Sequence, residues 1–252
     1  MHVSRTGLTP VKGGRHTSLP AVDLSREGPV GDRVFCLVDR KRGRVLRTVE
    51  NPSLLRTSAQ WDGQVLTATL PTGTVSGVPE ATGETLKVDY WGRVAALDVV
   101  DGPWAAAWSQ HLDREVTLAR AVRPGEVVYG APVSLVTTST LAEVERRGAG
   151  IVDDAQLRAT FTIDTDEHPA HVEDTWVGRR LALGDAEVEV RGRTPRCAVI
   201  DLDPDTGVPR TRLLRVLGGY RRHEGEVVLG VDAVVVRPGR VGTGAPVVVE
   251  RD

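Results

Sequence analysis

One of the chain's two cysteines, Cys197, stands in the stretch RGRTPRCAVIDLDPDTG, Arg191 to Gly207, behind Arg191, Arg193 and Arg196 and ahead of an Asp-Pro-Asp-Thr-Gly turn. A thiolate is the nucleophilic and metal-ligating form of cysteine, and positive neighbours favour it. Without that context a free cysteine is usually a small buried hydrophobe, so the arginines are what make Cys197 a candidate. Near the N-terminus, Lys12-Gly13-Gly14-Arg15 is followed by Gly31-Asp32-Arg33. Glycines beside a lysine can wrap backbone amides around a phosphate, although neither a complete Walker pattern nor a Gly-x-Gly-x-x-Gly turn is present. Arg210, Arg212, Arg215, Arg221 and Arg222 surround Gly218-Gly219-Tyr220. They read as a solvated helix face, with bidentate contact to an anion as the alternative.

Other chemistries find less support. His168 and His171 lie among Asp164, Asp166, Glu167, Glu173 and Asp174, but Pro169 separates them and no helix aligns the rings. The segment therefore reads as a solvated acidic loop rather than a metal site. Ser134 and Ser139 lack the Gly-x-Ser-x-Gly elbow of a hydrolase. Cys36 and Cys197 are distant in sequence and no Cys-x-x-Cys pair occurs, which implies neither a disulfide framework nor structural zinc and suits a reducing cytoplasm.

The elements that must position these residues are mostly strands. Short Val-rich runs bounded by Gly, Pro, Asp and Asn recur at Val34–Val38, Gln64–Leu70, Thr85–Asp89, Val127–Val128, Val133–Thr138, Ala186–Val190, Val227–Val236 and Pro246–Val249. Alternation from Glu187 onward predicts a strand that, if it persists to Asp201, places Pro195, Cys197 and Val199 on one face and Thr194, Arg196 and Ala198 on the other. Pro195 has no N–H to give a ladder, so it marks an edge, bulge or irregular entry beside Cys197. Short helices are expected at Pro103–Leu112, where Trp104 and Trp108 share a face, and at Ser139–Arg147, with Ser139 or Thr138 as N-cap. A third is expected at Arg210–Leu217.

The 252 residues carry a formal charge of −2 with 26% charged side chains, a mixed surface without the basic excess of a nucleic-acid or membrane-surface binder. No apolar leader and no run of eighteen apolar residues occurs, so the expectation is a soluble, cytoplasmic protein acting on a small molecule. The fold class expected is mainly β with a few short helices (α+β), divided into 1–100, a helix and connection at 101–125, and 126–252.

Several of these segments, in this order, resemble the MOSC family, the molybdenum-cofactor sulfurase C-terminal domain preceded by an N-terminal β-barrel domain, and within it the mitochondrial amidoxime-reducing component family. TPVKG at Thr9–Gly13 is similar to a Tyr-Pro-Val-Lys-Ser segment, and GDRVFCLVD at Gly31–Asp39 to a Gly-Asp-Arg-x-Trp strand. LVTTSTLAEV at Leu135–Val144, LRATFTI at Leu157–Ile163, WVGRRLALG at Trp176–Gly184, Gly219-Tyr220-Arg221 and GRVGTGAPV at Gly239–Val247 continue the match, and RCAVIDLDPDTG at Arg196–Gly207 resembles the cysteine segment. The chain departs from the pattern at Gly13 (serine in the family), Ala159 and Thr160 (proline and asparagine) and Ala245 (an acidic residue).

The resemblance implies a MOSC-type β-barrel domain at 126–252 behind a barrel-like domain at 1–100. It implies a molybdenum cofactor (molybdopterin) with Cys197 as metal ligand and catalytic residue, and with Lys12, Arg33, Thr138, Ser139, Arg158, Thr160 and Arg196 as cofactor contacts. The activity implied is an N-reductive oxidoreductase that receives electrons from an external donor protein, since the chain has no iron–sulfur module. The alternatives are a cofactor-independent enzyme on the same scaffold that uses Cys197 as nucleophile or sulfur carrier, and a non-catalytic carrier of the cofactor.

Overall fold

The computed structural model describes residues 1–165 and 167–250; Asp166, one carboxylate of the expected acidic loop, lies outside the described residues. Strands dominate, as the Val-rich, turn-punctuated pattern requires. The largest sheet runs, neighbour to neighbour, through Thr17–Leu19, His2–Leu8, Phe161–Asp164, Val133–Thr137, Glu226–Arg237, Ala186–Pro195, Arg180–Leu183 and Val247–Val249, with Arg222–His223 hairpinned onto Glu226–Arg237. Its apolar positions, among them Val3, Leu135, Phe161, Ile163, Val188, Val231 and the ring of Trp176, form one core.

A closed barrel is made of Glu80–Tyr90, Arg93–Asp101, Thr117–Ala121, Phe35–Asp39 and Arg44–Val45. Closure leaves these strands no free edge. Cys36, Val38, Val88, Tyr90, Leu97 and Val127 pack together as one core, while Trp104 and Trp108 of the helix Trp104–Leu112 join Phe35, Leu37, Leu66 and Leu118 in another. Neither tryptophan is exposed. The two units are interleaved along the chain. His2–Leu8 and Thr17–Leu19 pair within the sheet whose other strands lie beyond residue 132, and Ala21–Ser25 pairs with Gly239–Gly242.

Several local expectations need correction. The strand from Ala186 ends at Pro195 and does not reach Asp201. Pro195 is its last laddered residue, Arg196 N donates to Val227 O, and Cys197 then opens a short 3-10 turn over Ala198–Asp201. The alternation of Pro195, Cys197 and Val199 on one face therefore does not hold. The helix expected at Ser139 starts at Thr138 and is capped by Thr137, whose hydroxyl accepts from Thr140 N; it runs to Val144 and continues as a π turn to Ala149. Neither Ser139 nor Thr138 is the cap. Val127–Val128 is a turn whose buried Val127 closes the barrel core, a case in which an apolar side chain is buried without a strand. The third helix begins at Leu213, not Arg210, because Arg210 and Thr211 donate their N–H groups to Asp201 O.

The acidic segment is not a solvated loop throughout. Val172–Trp176 forms a 3-10 turn that buries Glu173 completely; hydroxyls of Thr137 and Thr140 on neighbouring elements donate to its Oε2, while Oε1 is buried without a partner. Asp174 is held by Arg221 and Arg193, so Arg221, expected on a solvated face, is committed to an internal ion pair.

Candidate functional site

Where the barrel meets the large sheet, the chain leaves a cavity of about 320 Å³. Lys12, Arg33, Arg47, Tyr90 and Trp91 line it from the barrel side; Ser134, Arg158, Thr194, Arg196, Cys197 and Asp232 line it from the sheet side. The two N-terminal motifs are zipped together to build one wall. Phe35 N donates to Pro10 O, Lys12 N to Phe35 O, and Arg33 N to Thr9 O, while the Asp32 carboxylate accepts Thr9 N and pairs with Arg33. Lys12 and Arg33, far apart in sequence, are thereby fixed side by side.

Arg158 follows the short 3-10 turn Asp154–Leu157, which a capping box of Asp153 and Gln156 starts, and donates Nη1 to Gly14 O at 2.7 Å. Arg196 donates Nε to Leu229 O and Nη1 to Leu157 O, each at 2.8 Å, but its buried Nη2 has no partner. Gly230 makes this placement possible. With φ at +71°, it passes so close to Leu135 O that a Cβ would sit 2.4 Å from that oxygen and 3.3 Å from Arg196 Nη2. Cys197, past the end of the strand, is exposed, whereas Cys36 is buried and its thiol is pushed up to about 12 by burial. Only Cys197 is available for chemistry.

The electrostatics of the cavity are lopsided. Its lining has five basic side chains, Lys12, Arg33, Arg47, Arg158 and Arg196, against two acidic ones, Glu226 and Asp232. Among the described residues no carboxylate pairs with Lys12, Arg158 or Arg196. Burial, together with the nearby Arg33 and Arg158, pulls the Lys12 ammonium down to about 7. Burial also lowers Arg158 and Arg196 to about 10, which leaves both charged at neutral pH. Buried cations without counter-ions are costly, so the arrangement is complementary to an anion that the protein does not itself provide.

Backbone strain collects at the same place. Six described non-glycine residues have positive φ, and Arg33, Trp91 and Arg158, half of them, line this cavity. Left-handed conformations of such residues cost of order 1–3 kcal/mol each and persist where surrounding structure over-determines them, typically at binding sites.

Of the residues singled out by sequence, Lys12, Arg33, Arg158, Arg196 and Cys197 line the cavity; Thr138, Ser139 and Thr160 do not. Thr160 lies behind the wall, accepting Ser134 N at 3.1 Å and donating its own N–H to Ser134 Oγ at 3.2 Å. Thr138 accepts Thr165 N and Ser139 bonds the Thr165 hydroxyl, beside the buried Glu173. Gly13 lines the cavity with φ at +91°, where a Cβ would come within 2.9 Å of a Leu54 methyl carbon. A serine there would strain the backbone and push the Leu54 side chain aside. Arg47, Tyr90, Trp91, Tyr129 and Asp232 were not anticipated; an aromatic residue before Gly92 in a tight hairpin, where Asn is the usual choice, was the available signal.

Comparison with known proteins decides the family. The model of the MOSC domain matches residues 105–248, and the model of the MOSC N-terminal beta barrel domain matches residues 2–111. The chain belongs to the MOSC domain family. Mitochondrial amidoxime-reducing component 1 of Homo sapiens is 25% identical to it, over 97% of this chain and 82% of that protein. Mitochondrial amidoxime reducing component 2 of Bos taurus is 25% identical over 87% of this chain and 72% of that protein. Among solved structures, the YUAD protein from Bacillus subtilis aligns over 98% of this chain and 93% of its own, with a TM-score of 0.47 and 12% identity. No helix among the described residues is long and apolar enough to cross a membrane.

Proposed function

We propose that this MOSC protein binds a molybdenum cofactor in the cavity and reduces N-oxygenated small molecules, with Cys197 as the protein ligand of the metal. The observation that carries this reading is an exposed thiol in a cavity lined by buried cations whose donors are left over: Arg196 Nη2, the Thr194 hydroxyl and the Tyr90 hydroxyl are buried without partners. The residues present fit the group. A phosphate-bearing pterin would supply the missing acceptors, and a soft thiolate suits molybdenum.

Lys12, Arg33, Arg158 and Arg196 would hold the anionic end through charge-assisted hydrogen bonds. Cys197 would hold the metal, and Ser134, kept in place by Thr160, would orient what lies between. When bound, the cofactor supplies the two-electron reducing centre. Cleaving an N–O bond to give N–H and water takes two electrons and two protons, the electrons coming from an external donor protein. Lys12, able to gain or lose a proton near neutrality, is the chain's group best suited to match its charge to the bound anion.

The test is expression in a host that makes the cofactor, followed by metal analysis and an assay with amidoximes, hydroxylamines and N-oxides as substrates. One molybdenum per chain, with turnover that Cys197→Ser abolishes, supports the reading. Folded protein without molybdenum from such a host refutes it, and a persulfide or substrate adduct on Cys197 by mass spectrometry would place the chain with cofactor-independent enzymes instead.

A further inference from the structure

Two large aromatic side chains stand at the mouth of the cavity and contribute nothing to its cationic lining. Trp91 is 44% exposed and Tyr129 60%, and both line the same cavity as Cys197. We propose that Trp91 and Tyr129 form a stacking surface that selects N-oxygenated substrates carrying a planar aromatic group; this rests on the function proposed above and narrows its substrate class.

Trp91 and Gly92 are the two loop residues of the hairpin joining Glu80–Tyr90 to Arg93–Asp101, with φ at +56° and +79°. Positive φ at both positions is the type I′ turn, which favours Asn-Gly. A tryptophan at the first position is held in a conformation that bulky residues avoid, and folding offers no return, since the ring is not buried in any core. The ring is nonetheless held. The Arg47 guanidinium lies 4.2 Å above it, and Arg47 is itself near Asp89 at 3.4 Å. The Tyr129 ring, from the turn region after Thr117–Ala121, packs 5.7 Å away, tilted by 56°.

Independent polar contacts tie these two segments together. Arg93, beside the hairpin tip, donates to the carbonyls of Glu126 and Val128, and the Glu126 carboxylate accepts Ala96 N at 3.0 Å. The aromatic pair is therefore fixed by the Arg47 guanidinium over Trp91 and by hydrogen bonds of its neighbours rather than by apolar burial, and the exposed part of each ring is left for a ligand. Val49, also partly exposed, continues the apolar lip. A ligand spanning the cavity would meet this lip at one end and the cationic lining at the other. A flat apolar body with a polar N–O head matches both parts, since aromatic faces stack with planar groups while the head reaches the reducing centre.

The experiment uses the holoenzyme with benzamidoxime and acetamidoxime as probes, in wild type and in Trp91→Asn, Trp91→Phe and Tyr129→Ala. Expected is a fall of about 10-fold in kcat/KM for benzamidoxime in Trp91→Asn and Tyr129→Ala, no change for acetamidoxime, and retention in Trp91→Phe. Molybdenum content should stay constant, and the Tm of Trp91→Asn should equal or exceed that of wild type, because asparagine suits the turn. Equal losses for both probes, or none for either, would overturn the proposal. Calorimetric titration without electron donor separates it from the reading beneath it. If wild type reduces neither probe, the oxidoreductase reading fails, while benzamidoxime binding that exceeds acetamidoxime binding and is lost in Trp91→Asn still supports the stacking surface, and equal binding of the two probes overturns it.

Discussion

The strand Val133–Thr137 serves two polar clusters, one through Ser134 and the other through Thr137, three residues apart and so on opposite faces. On the Ser134 side, donors outnumber acceptors: Arg158 and Arg196 donate to the carbonyls of Gly14, Leu229 and Leu157, and Arg196 Nη2, the Thr194 hydroxyl and the Tyr90 hydroxyl are left without partners. On the Thr137 side the hydrogen bonds run within the cluster, with Glu173 Oε1 and His171 Nε2 buried and unpartnered. Thr137 and Thr140 donate to Glu173 Oε2 at 2.7 and 2.8 Å, Thr140 accepts His171 N at 2.7 Å, and Ser139 and Thr138 engage Thr165. Both regions are rich in polar residues that sequence alone ranks as site candidates. The sign of what is left over separates them: the cavity side is open to an anion, with spare donors on uncompensated cations, whereas the Glu173 side is closed to one, its spare atoms being a buried carboxylate oxygen and the His171 Nε2 nitrogen.

Breaking the open side should cost binding and leave the fold intact. The largest effect is expected for Cys197→Ser, which should abolish molybdenum retention and turnover, read by metal analysis and amidoxime assay, with Tm unchanged because the thiol is exposed. Arg196→Met should come next. It removes a charge-assisted donor and leaves the Leu229 and Leu157 carbonyls unpaired, so a loss of about 1–3 kcal/mol in stability should accompany a 10- to 100-fold loss of cofactor affinity, by denaturation and by metal retention after dialysis.

Lys12 sharpens the contrast through pH. Its pKa of about 7 lies below the ordinary 10.5, so between those values the unfolded chain holds a proton that the folded chain lacks, and the Lys12 contribution to stability rises with pH across that window. Anion binding has the opposite sense. Pyrophosphate affinity of cofactor-free protein should fall by roughly 10-fold from pH 6 to pH 9, and Lys12→Met should flatten the curve. Thr160→Val deprives Ser134 N of its acceptor and should cost about 1 kcal/mol in urea unfolding, with a smaller loss of cofactor.

On the closed side, Glu173→Gln should leave molybdenum content untouched. Burial raises the Glu173 carboxyl above its ordinary 4.5, against the pull of the Thr137 and Thr140 hydroxyls, so the charged form weakens the fold as pH rises past that value. The variant should therefore show a modest gain in Tm at pH 8 that vanishes below pH 4. Loss of cofactor in this variant would erase the distinction between the two clusters.

Much of this was legible from residue order. Alternating Val-rich runs announced a mainly β chain, and the order of short motifs pointed to Lys12, Arg33, Arg158, Arg196 and Cys197, which the fold gathers from four separate segments into one cavity. Thr138 and Ser139 were harder because a strand-to-helix junction presents several hydroxyls in a row, and only the residue at which the helix starts decides which of them turns inward. Thr160 differs again, since a hydroxyl that fastens a neighbour's backbone has the same sequence signature as one that meets a ligand. Trp91 and Tyr129 escaped notice because turns are ordinarily read through Gly, Pro and Asn, so an aromatic placed there against preference carries no weight until its φ is known.

The pairing of His2–Leu8 with Phe161–Asp164 bears on how the molecule is made. The strand pairs locally with Thr17–Leu19, but its other edge waits for a partner more than 150 positions later in the chain, after the barrel strands between them have been synthesised. Lys12 is set by Phe35, whereas Arg158, Arg196 and Cys197 lie on the sheet side, so the two sides of the cavity meet only when Phe161–Asp164 joins His2–Leu8. Assembly of the cavity is thus a late event in synthesis, and a chain stalled before Phe161 would carry a barrel but no binding site.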